Sequence, residues 1–253
     1  MSTRNLLTRS SEARELCEHL AELYRKQVES TGSIYYLSEH SKPEFIKHHV
    51  NVFLWYSQYL PQSGSILDWG CNHGPDSCLI RKVFNEQYDL HACDFIPESE
   101  FSVFRDYARP KYTMLNNSME LPYPENTFDV VIGSGVLEHT AMDQEALKAL
   151  FRVLKPDGLL IISYLPFKWS WDEFHRRRFQ KVNFHRRLYG KRETETLLKR
   201  WGFYPIEINY QTFVPNVVDG KLPTSLKRIL RPIRYPFFAH SVLCCAARKM
   251  TVM

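Results

Sequence analysis

Among the six cysteines of this chain, Cys17, Cys71, Cys78, Cys93, Cys244 and Cys245, no two stand in a C-x-x-C pair. That absence argues against a disulfide-stapled fold and against a zinc ribbon, which both need recurring cysteine spacings. Cys71 and His73 flank a glycine loop, but two further ligands at metal-binding spacing are missing, so no metal is expected. Cys244 and Cys245 are neighbours in an apolar, strand-like run and should point to opposite faces. All six are read as reduced thiols. Long apolar runs are missing too. The longest, around Val52–Tyr56 and Leu159–Leu165, fall far short of the roughly 20 residues a membrane span needs. The start, Met1 to Leu7, is polar and carries no apolar run, which argues against a signal peptide. No internal repeat or low-complexity segment is visible. A cytoplasmic protein is expected, with peripheral membrane contact left open.

What is present is a core-forming composition: 253 residues, 44% of them apolar. That size suits one elaborated α/β domain. The net charge of +5 is unevenly spread. Between Pro166 and Tyr235 stand 16 Lys/Arg against 6 Asp/Glu, so the rest of the chain is net acidic. Such asymmetry often marks a face that meets an anionic partner.

Ala13, Leu16, Cys17, Leu20, Leu23 and Tyr24 recur at helical spacing, and Ser10 or Ser11 could cap that helix. A second helix is predicted from Pro43 to about Tyr59, with the loop Thr31-Gly-Ser-Ile-Tyr-Tyr between the two. From Ser65 onward strands and helices alternate. Ser65–Trp69, Tyr88–Asp94, Lys111–Leu115, Phe128–Gly133, Gly158–Ser163, Phe203–Tyr210 and His240–Ala247 read as strands. Helices are predicted near 75–84, 98–108, 143–153 and 192–201. Alternation with apolar strands implies an α/β fold whose mostly parallel sheet is covered on both faces.

Chemistry concentrates at Asp68-Trp-Gly70-Cys-Asn72-His-Gly74, where a strand ends in an acid and glycines follow. Glycine lets the backbone turn sharply and approach a ligand closely. Twenty positions on, Asp94 ends the second strand and could accept hydrogen bonds from ribose hydroxyls. A nucleotide-binding dehydrogenase shares these features, but Asp68 discriminates. A carboxylate beside the loop repels a pyrophosphate and suits a ligand carrying an ammonium and a sulfonium. The spacing also departs from G-x-G-x-x-G.

At this point the chain resembles the class I S-adenosylmethionine-dependent methyltransferases, in their small-molecule, type 11-like branch. Four landmarks match in order between about Ser65 and Lys249. They are Leu67-Asp-Trp-Gly-Cys-Asn-His-Gly; Asp94; Leu121-Pro-Tyr-Pro-Glu-Asn-Thr-Phe-Asp-Val-Val; and Val136-Leu-Glu-His with Arg152-Val-Leu-Lys-Pro-Asp-Gly-Leu-Leu. The resemblance implies a Rossmann-like, seven-stranded, mostly parallel sheet with its last strand antiparallel. It implies S-adenosylmethionine as cofactor, with Gly70 and Gly74 at the methionine end and Asp94 on the ribose. Asn117 and Ser118 would sit by the adenine and Ser134 near the methionine amino group. Asp68, Asn72, Phe95 and Met119 complete the donor-binding set. Two positions depart from the family pattern. Asn72 replaces the middle glycine, and asparagine tolerates a left-handed backbone. Asn117 stands where aspartate is frequent, so weaker adenine pairing is expected.

An oxygen acceptor must lose a proton, and His139 is the candidate base, just beyond the fourth strand. Its alternative role is to cap the next helix or pack under the cofactor. His73, Tyr35 and Tyr36 are weaker candidates, and the two tyrosines are better placed to line the donor pocket. Residues 1–60 form an N-terminal helical lid region, and 61–253 the donor-binding domain. Within it, an insertion at 166–190 should cover the acceptor. There Trp169, Trp171 and Phe174 could stack on a sugar or ring, while Arg176, Arg177, Arg178, Arg186 and Arg187 could bind phosphate. A basic amphipathic segment at 212–237, with Lys221, Lys227, Arg228, Arg231 and Arg234, suits either an anionic membrane or a plain strand link. The expected acceptor is a small molecule, a glycan or a lipid-linked phosphate-bearing intermediate, methylated at oxygen. A nucleic-acid methyltransferase is the alternative. The N/D-P-P-Y-type base-flipping motif it would need is missing. A partner-binding chain that has lost catalysis is a third reading.

Overall fold

The computed structural model describes residues 3–32, 35–116, 120–181, 185–213 and 240–250. Helix α1 (Thr3–Thr31) opens the chain, followed by α2 (Tyr35–His40) and α3 (Pro43–Ser57). Alternation then begins with β1 (Gly64–Trp69), α4 (Pro75–Phe84), β2 (Tyr88–Asp94), α5 (Ser102–Ala108) and β3 (Lys111–Met114). It continues through β4 (Phe128–Ser134), α6 (Asp143–Val153), β5 (Leu154–Pro166), α7 (Trp171–His175), α8 (Lys191–Arg200), β6 (Phe203–Phe213) and β7 (His240–Lys249). The strands form one sheet in the order β3-β2-β1-β4-β5-β7-β6. All neighbours are parallel except β7, which runs antiparallel to both β5 and β6. The expected fold is therefore observed.

Strand alternation splits the core into two layers. Val130 and Ile132 of β4 face the layer packed under α1, α3, α4 and α5, while Val131 faces the layer under α6 and α8. Both faces are dry, which is why β4 is apolar at successive positions rather than alternately. Cys244 and Cys245 divide in the same way, one to each layer.

Three elements depart from the sequence expectations. Helix α1 starts at Thr3, so Ser10 and Ser11 lie inside it instead of capping it. No proline or glycine interrupts residues 3–10, and nothing there stops a helix. A short helix begins at Tyr35, inside the predicted loop, after Gly32 has ended α1 with a left-handed φ of +80°. Strand β5 starts at Leu154, directly from α6, and takes the Lys155-Pro-Asp-Gly turn into itself as an irregularity, with Asp157 at φ +60°. Residues 214–239, which include most of the basic 212–237 segment, lie outside the described residues.

Helix α1 is bound to the domain. Leu16, Leu20, Leu23, Tyr24 and Gln27 share its buried face. Gln27 donates to the carbonyl of Glu100 at 3.3 Å and accepts from the amide of Val103 at 3.0 Å. That buried amide seats the helix over the donor loop.

Candidate functional site

The crossover from β1 through β2 runs one way along the sheet and that from β4 through β5 the other. A crevice therefore opens at the C-terminal ends of β1 and β4, where such sheets bind ligands. The loop leaving β1 is held from several sides. The amides of Gly70 and Cys71 donate to the carbonyl of Cys93 at 2.9 and 3.2 Å. Asn72 N donates to Asp94 Oδ2 at 2.7 Å, and Arg105 reaches the Asn72 carbonyl at 3.1 Å. Asn72 adopts φ +48°, the left-handed backbone expected of an asparagine replacing glycine. Gly70 at φ +65° cannot be replaced so easily: a Cβ there would stand 2.6 Å from Val136 Cγ2.

A cavity of about 430 Å³ fills the crevice. Asp68 and Asp76 both line it and both are buried. Ser77 Oγ donates to Asp68 Oδ2 at 2.6 Å, and Tyr56 donates to Asp76 Oδ1 at 2.6 Å. His49 Nε2 lies 3.4 Å from Asp76 Oδ1, and His49 Nδ1 meets the Tyr164 hydroxyl at 2.9 Å. Tyr164 holds φ +65°, a strained backbone for a tyrosine, where the β5–β7 register shifts. Burial and the neighbouring Asp76 push the Asp68 carboxyl up to about 7. Burial also opposes charge on Asp76, but His49 and hydrogen bonds from Tyr56 and Ser134 outweigh it and hold that carboxyl below its ordinary value. Two buried carboxylates facing one cavity repel each other until a cation joins them. This donor set fits the ammonium and sulfonium of S-adenosylmethionine, and the cavity is of ligand size.

Further along the wall, the turn after β4 presents Glu138 and His139, and the insertion presents Glu173 and His185. The two imidazoles lie 5.4 Å apart, centroid to centroid. Glu173 Oε1 bonds His185 Nδ1 at 2.7 Å. Burial drives the Glu138 carboxyl up to about 8, while burial and His185 push His139 below its ordinary value. The two segments are tied together by Arg187, which donates to the carbonyls of Leu137, Thr140 and Ala141 at 3.0, 2.7 and 3.2 Å. Arg177 is turned to Glu173 and to the carbonyl of His185. Donors expected to bind phosphate are thus engaged inside the protein: those of Arg177 meet oxygens of the insertion, and those of Arg187 the carbonyls of the turn after β4. Arg176 pairs with Asp172 at 2.7 Å.

Of the residues singled out from sequence, the cavity gathers Asp68, Gly70, Asn72, Ser134 and His139, together with His73 and Tyr36. Asp94 and Phe95 do not line it, and Phe95 is exposed. Both Asp94 oxygens already accept backbone N–H groups, from Asn72 and from Phe95 at 2.6 Å, and each keeps a free lone pair for a ribose hydroxyl. Gly74 starts α4 at φ +84° and shapes the loop from outside the cavity. Asn117, Ser118 and Met119 lie outside the described residues, as does the side chain of Tyr35. His73 is packed against Tyr24, whose hydroxyl meets its Nε2, and burial lowers its pKa well below the ordinary value. That contact fixes the loop and keeps the ring from acting as a base. Sequence reasoning missed His49, Asp76, Tyr164, Glu138, Glu173 and His185.

Loop, sheet order and buried acid define a class I methyltransferase. The sequence model of the methyltransferase domain matches residues 38–208, and the chain belongs to that family. That family's reaction, methyl transfer from S-adenosylmethionine, is the one the donor set of the crevice fits. The ubiquinone/menaquinone biosynthesis C-methyltransferase UbiE of Vibrio parahaemolyticus is 33% identical over 103 residues, which is 38% of this chain and 39% of that protein. The chain thus spans well under half the length of that curated relative. Solved structures share the fold, among them the following two. A methyltransferase bound to the Trm112 activator of Haloferax volcanii gives a TM-score of 0.61 at 16% identity, over 81% of this chain and 90% of that one. The 1,6-didemethyltoxoflavin N1-methyltransferase of Burkholderia thailandensis, bound to its substrate and S-adenosylhomocysteine, gives 0.56 at 18%, over 79% and 77%. No helix among the described residues is long and apolar enough to cross a membrane.

Proposed function

We propose that this enzyme methylates an oxygen of a small acceptor, free or carried as the head of a glycan- or lipid-linked intermediate, held at the Glu138–His139–His185 wall. The observation that carries the reading is the meeting of two imidazoles and two carboxyl groups on the cavity wall beyond the donor acids. S-adenosylmethionine supplies a methyl group already activated on a cationic sulfur, so the chain must orient the acceptor, exclude water and accept a proton. Orientation alone can supply roughly 7–11 kcal/mol. Leu20, Tyr24, Tyr36, His40, Ile46 and His49 of α1–α3 close the cavity, which supports residues 1–60 as its lid. His139, whose pKa is lowered, is neutral at pH 7 and able to take the proton. Tyr164 orients His49 against Asp76 rather than acting as a base, since burial pushes its phenol well up.

His139→Ala is expected to lower kcat about a hundredfold, within the usual range for acid–base groups, with donor affinity unchanged. Tritium transfer from the labelled donor to fractionated small molecules, lipids and RNA, followed by the carbon shift of a 13C-methylated product, tests the assignment. A methoxy product in the small-molecule or lipid fraction supports it. An N- or C-methyl, or label confined to RNA, replaces it.

Two more outcomes are expected. Asp94→Ala should weaken the donor by about 1–3 kcal/mol, the cost of a lost charge-assisted hydrogen bond, measured calorimetrically on folded protein. On the insertion, Trp169, Trp171, Phe174 and Phe179 are exposed, and the Arg178 guanidinium lies 5.8 Å from the Phe179 ring. With Arg177 and Arg187 turned inward, an anionic acceptor would be met by Arg178 and the exposed Arg186. Replacing both with Gln should raise the acceptor KM and flatten its salt dependence, with donor affinity unchanged. Wild-type acceptor kinetics across a salt series would leave those arginines as plain surface.

A further inference from the structure

We propose that Glu138, His139 and His185 form a binding site for one divalent first-row transition-metal ion, Zn²⁺, Mn²⁺ or Fe²⁺, on the acceptor wall. One ligand atom from each of the three lies within 4.8 Å of those of the other two. Donors on one such ion stand no more than about 4.2 Å apart, from two bonds of roughly 2.1 Å, and about 3.4 Å apart at tetrahedral angles. Side-chain rotations that shift the donors by up to roughly 1.5 Å therefore close the set. One carboxylate oxygen and two imidazole nitrogens are the donor chemistry that borderline divalent ions take, with open positions left over.

Two independent observations point to a cation at this place. Glu138 is 2% exposed, and its Oε2 is buried without a hydrogen-bond partner among the described residues. A buried, unpaired carboxyl oxygen is costly unless something meets it. Glu173, itself buried, takes His185 Nδ1 at 2.7 Å, which leaves Nε2 for an ion. A carboxylate behind an imidazole is how metal-bound histidines are oriented and made more basic. The scaffold is also set: Arg187 locks the Glu138–His139 turn to the segment bearing His185 through three carbonyls.

The open positions would face the cavity and suit an acceptor with two adjacent oxygens, such as a vicinal diol, a catechol or a hydroxy acid. This rests on the reading of the acceptor wall and deepens it for the ion-bound protein; without the ion, His139 remains the proton acceptor. A hydroxyl held by such an ion ionises near neutral pH, so His139 serves as a ligand. The balance is simple: the hydroxyl releases its proton to solvent water, the oxygen forms a bond to the methyl carbon, and the carbon–sulfur bond breaks with its electron pair remaining on sulfur.

The test is equilibrium dialysis of tag-free, chelator-stripped full chain against Zn²⁺, and the visible spectrum with Co²⁺ as probe. Wild type should bind one equivalent and give cobalt d–d bands of a low-coordinate nitrogen–oxygen site. Glu138→Gln and His185→Ala should each lose at least a hundredfold in affinity, Glu173→Gln ten- to a hundredfold, and His91→Ala, on the far strand β2, nothing. Circular dichroism of each variant confirms folding. Failure of wild type to bind an equivalent, or equal binding by Glu138→Gln and His185→Ala, overturns the site. Because the readout is binding, it stands or falls apart from the oxygen assignment. Metal binding with an N- or C-methyl product would leave the site and sink the acceptor reading, and a metal-free enzyme making a methoxy product would do the reverse.

Discussion

Asp68→Asn is expected to weaken S-adenosylmethionine at least a hundredfold at pH 8, about 3 kcal/mol, within the range for truncating one partner of a buried charge pair. The variant keeps an oxygen for the Ser77 hydroxyl and loses only the charge, so the fold should survive. The pH dependence separates charge from shape. In the free protein the Asp68 carboxyl titrates at about 7, raised by burial and by Asp76. A cationic ligand needs it ionised. Donor affinity should therefore rise with pH through 7, fall below 7 by up to tenfold per unit, and decline again above about 8 as the ligand's own ammonium loses its proton. In Asp68→Asn the slope below 7 should vanish. Isothermal titration between pH 5.5 and 8.5 reads both, and a mutant that keeps the wild-type slope would remove Asp68 from the donor contact.

Gly70→Ala is expected to abolish measurable donor binding. Two costs combine at this position. An alanine at φ +65° costs about 1–2 kcal/mol, and its Cβ would stand 2.6 and 2.7 Å from the two Val136 methyls. Val136 precedes the turn carrying Glu138 and His139, so relief by displacement moves the acceptor wall as well. Val136→Ala in the same chain removes both offending methyls and should recover part of the affinity, with the backbone strain remaining. A Gly70→Ala protein that binds the donor normally would mean that the loop does not approach the ligand as closely as this geometry requires.

Much of this architecture was legible in the chain. β4 betrays itself by Val130-Val-Ile, apolar at successive positions because both faces are covered, and Cys244 and Cys245 had to part because strand side chains alternate. Asp68, Gly70 and Asn72 declare themselves by residue type at the end of a strand. The acceptor wall was harder to read. His185 stands far along the chain from His139, and the Arg187 clasp ties the segments that carry them together. Glu138 was in view inside Val136-Leu-Glu-His, yet nothing in the sequence says that its side chain turns inward. The left-handed Tyr164 carries no glycine or asparagine to announce it. The basic insertion misled for a related reason: a run of arginines reads as one charged face, whereas Arg177 and Arg187 point into the protein to satisfy oxygens that the irregular backbone leaves open.

The claim on which all of this depends is that the β1–β4 crevice takes up a cationic methyl donor by ionising a buried acid. Calorimetric titration of wild-type protein with S-adenosylmethionine at pH 7, repeated in buffers of different ionisation enthalpy, tests it most directly. The expected result is one site per chain and release of a fraction of a proton per ligand bound, since burial and Asp76 raise the Asp68 carboxyl and the cation ionises it. Binding without proton release, or no binding at millimolar donor, would contradict it.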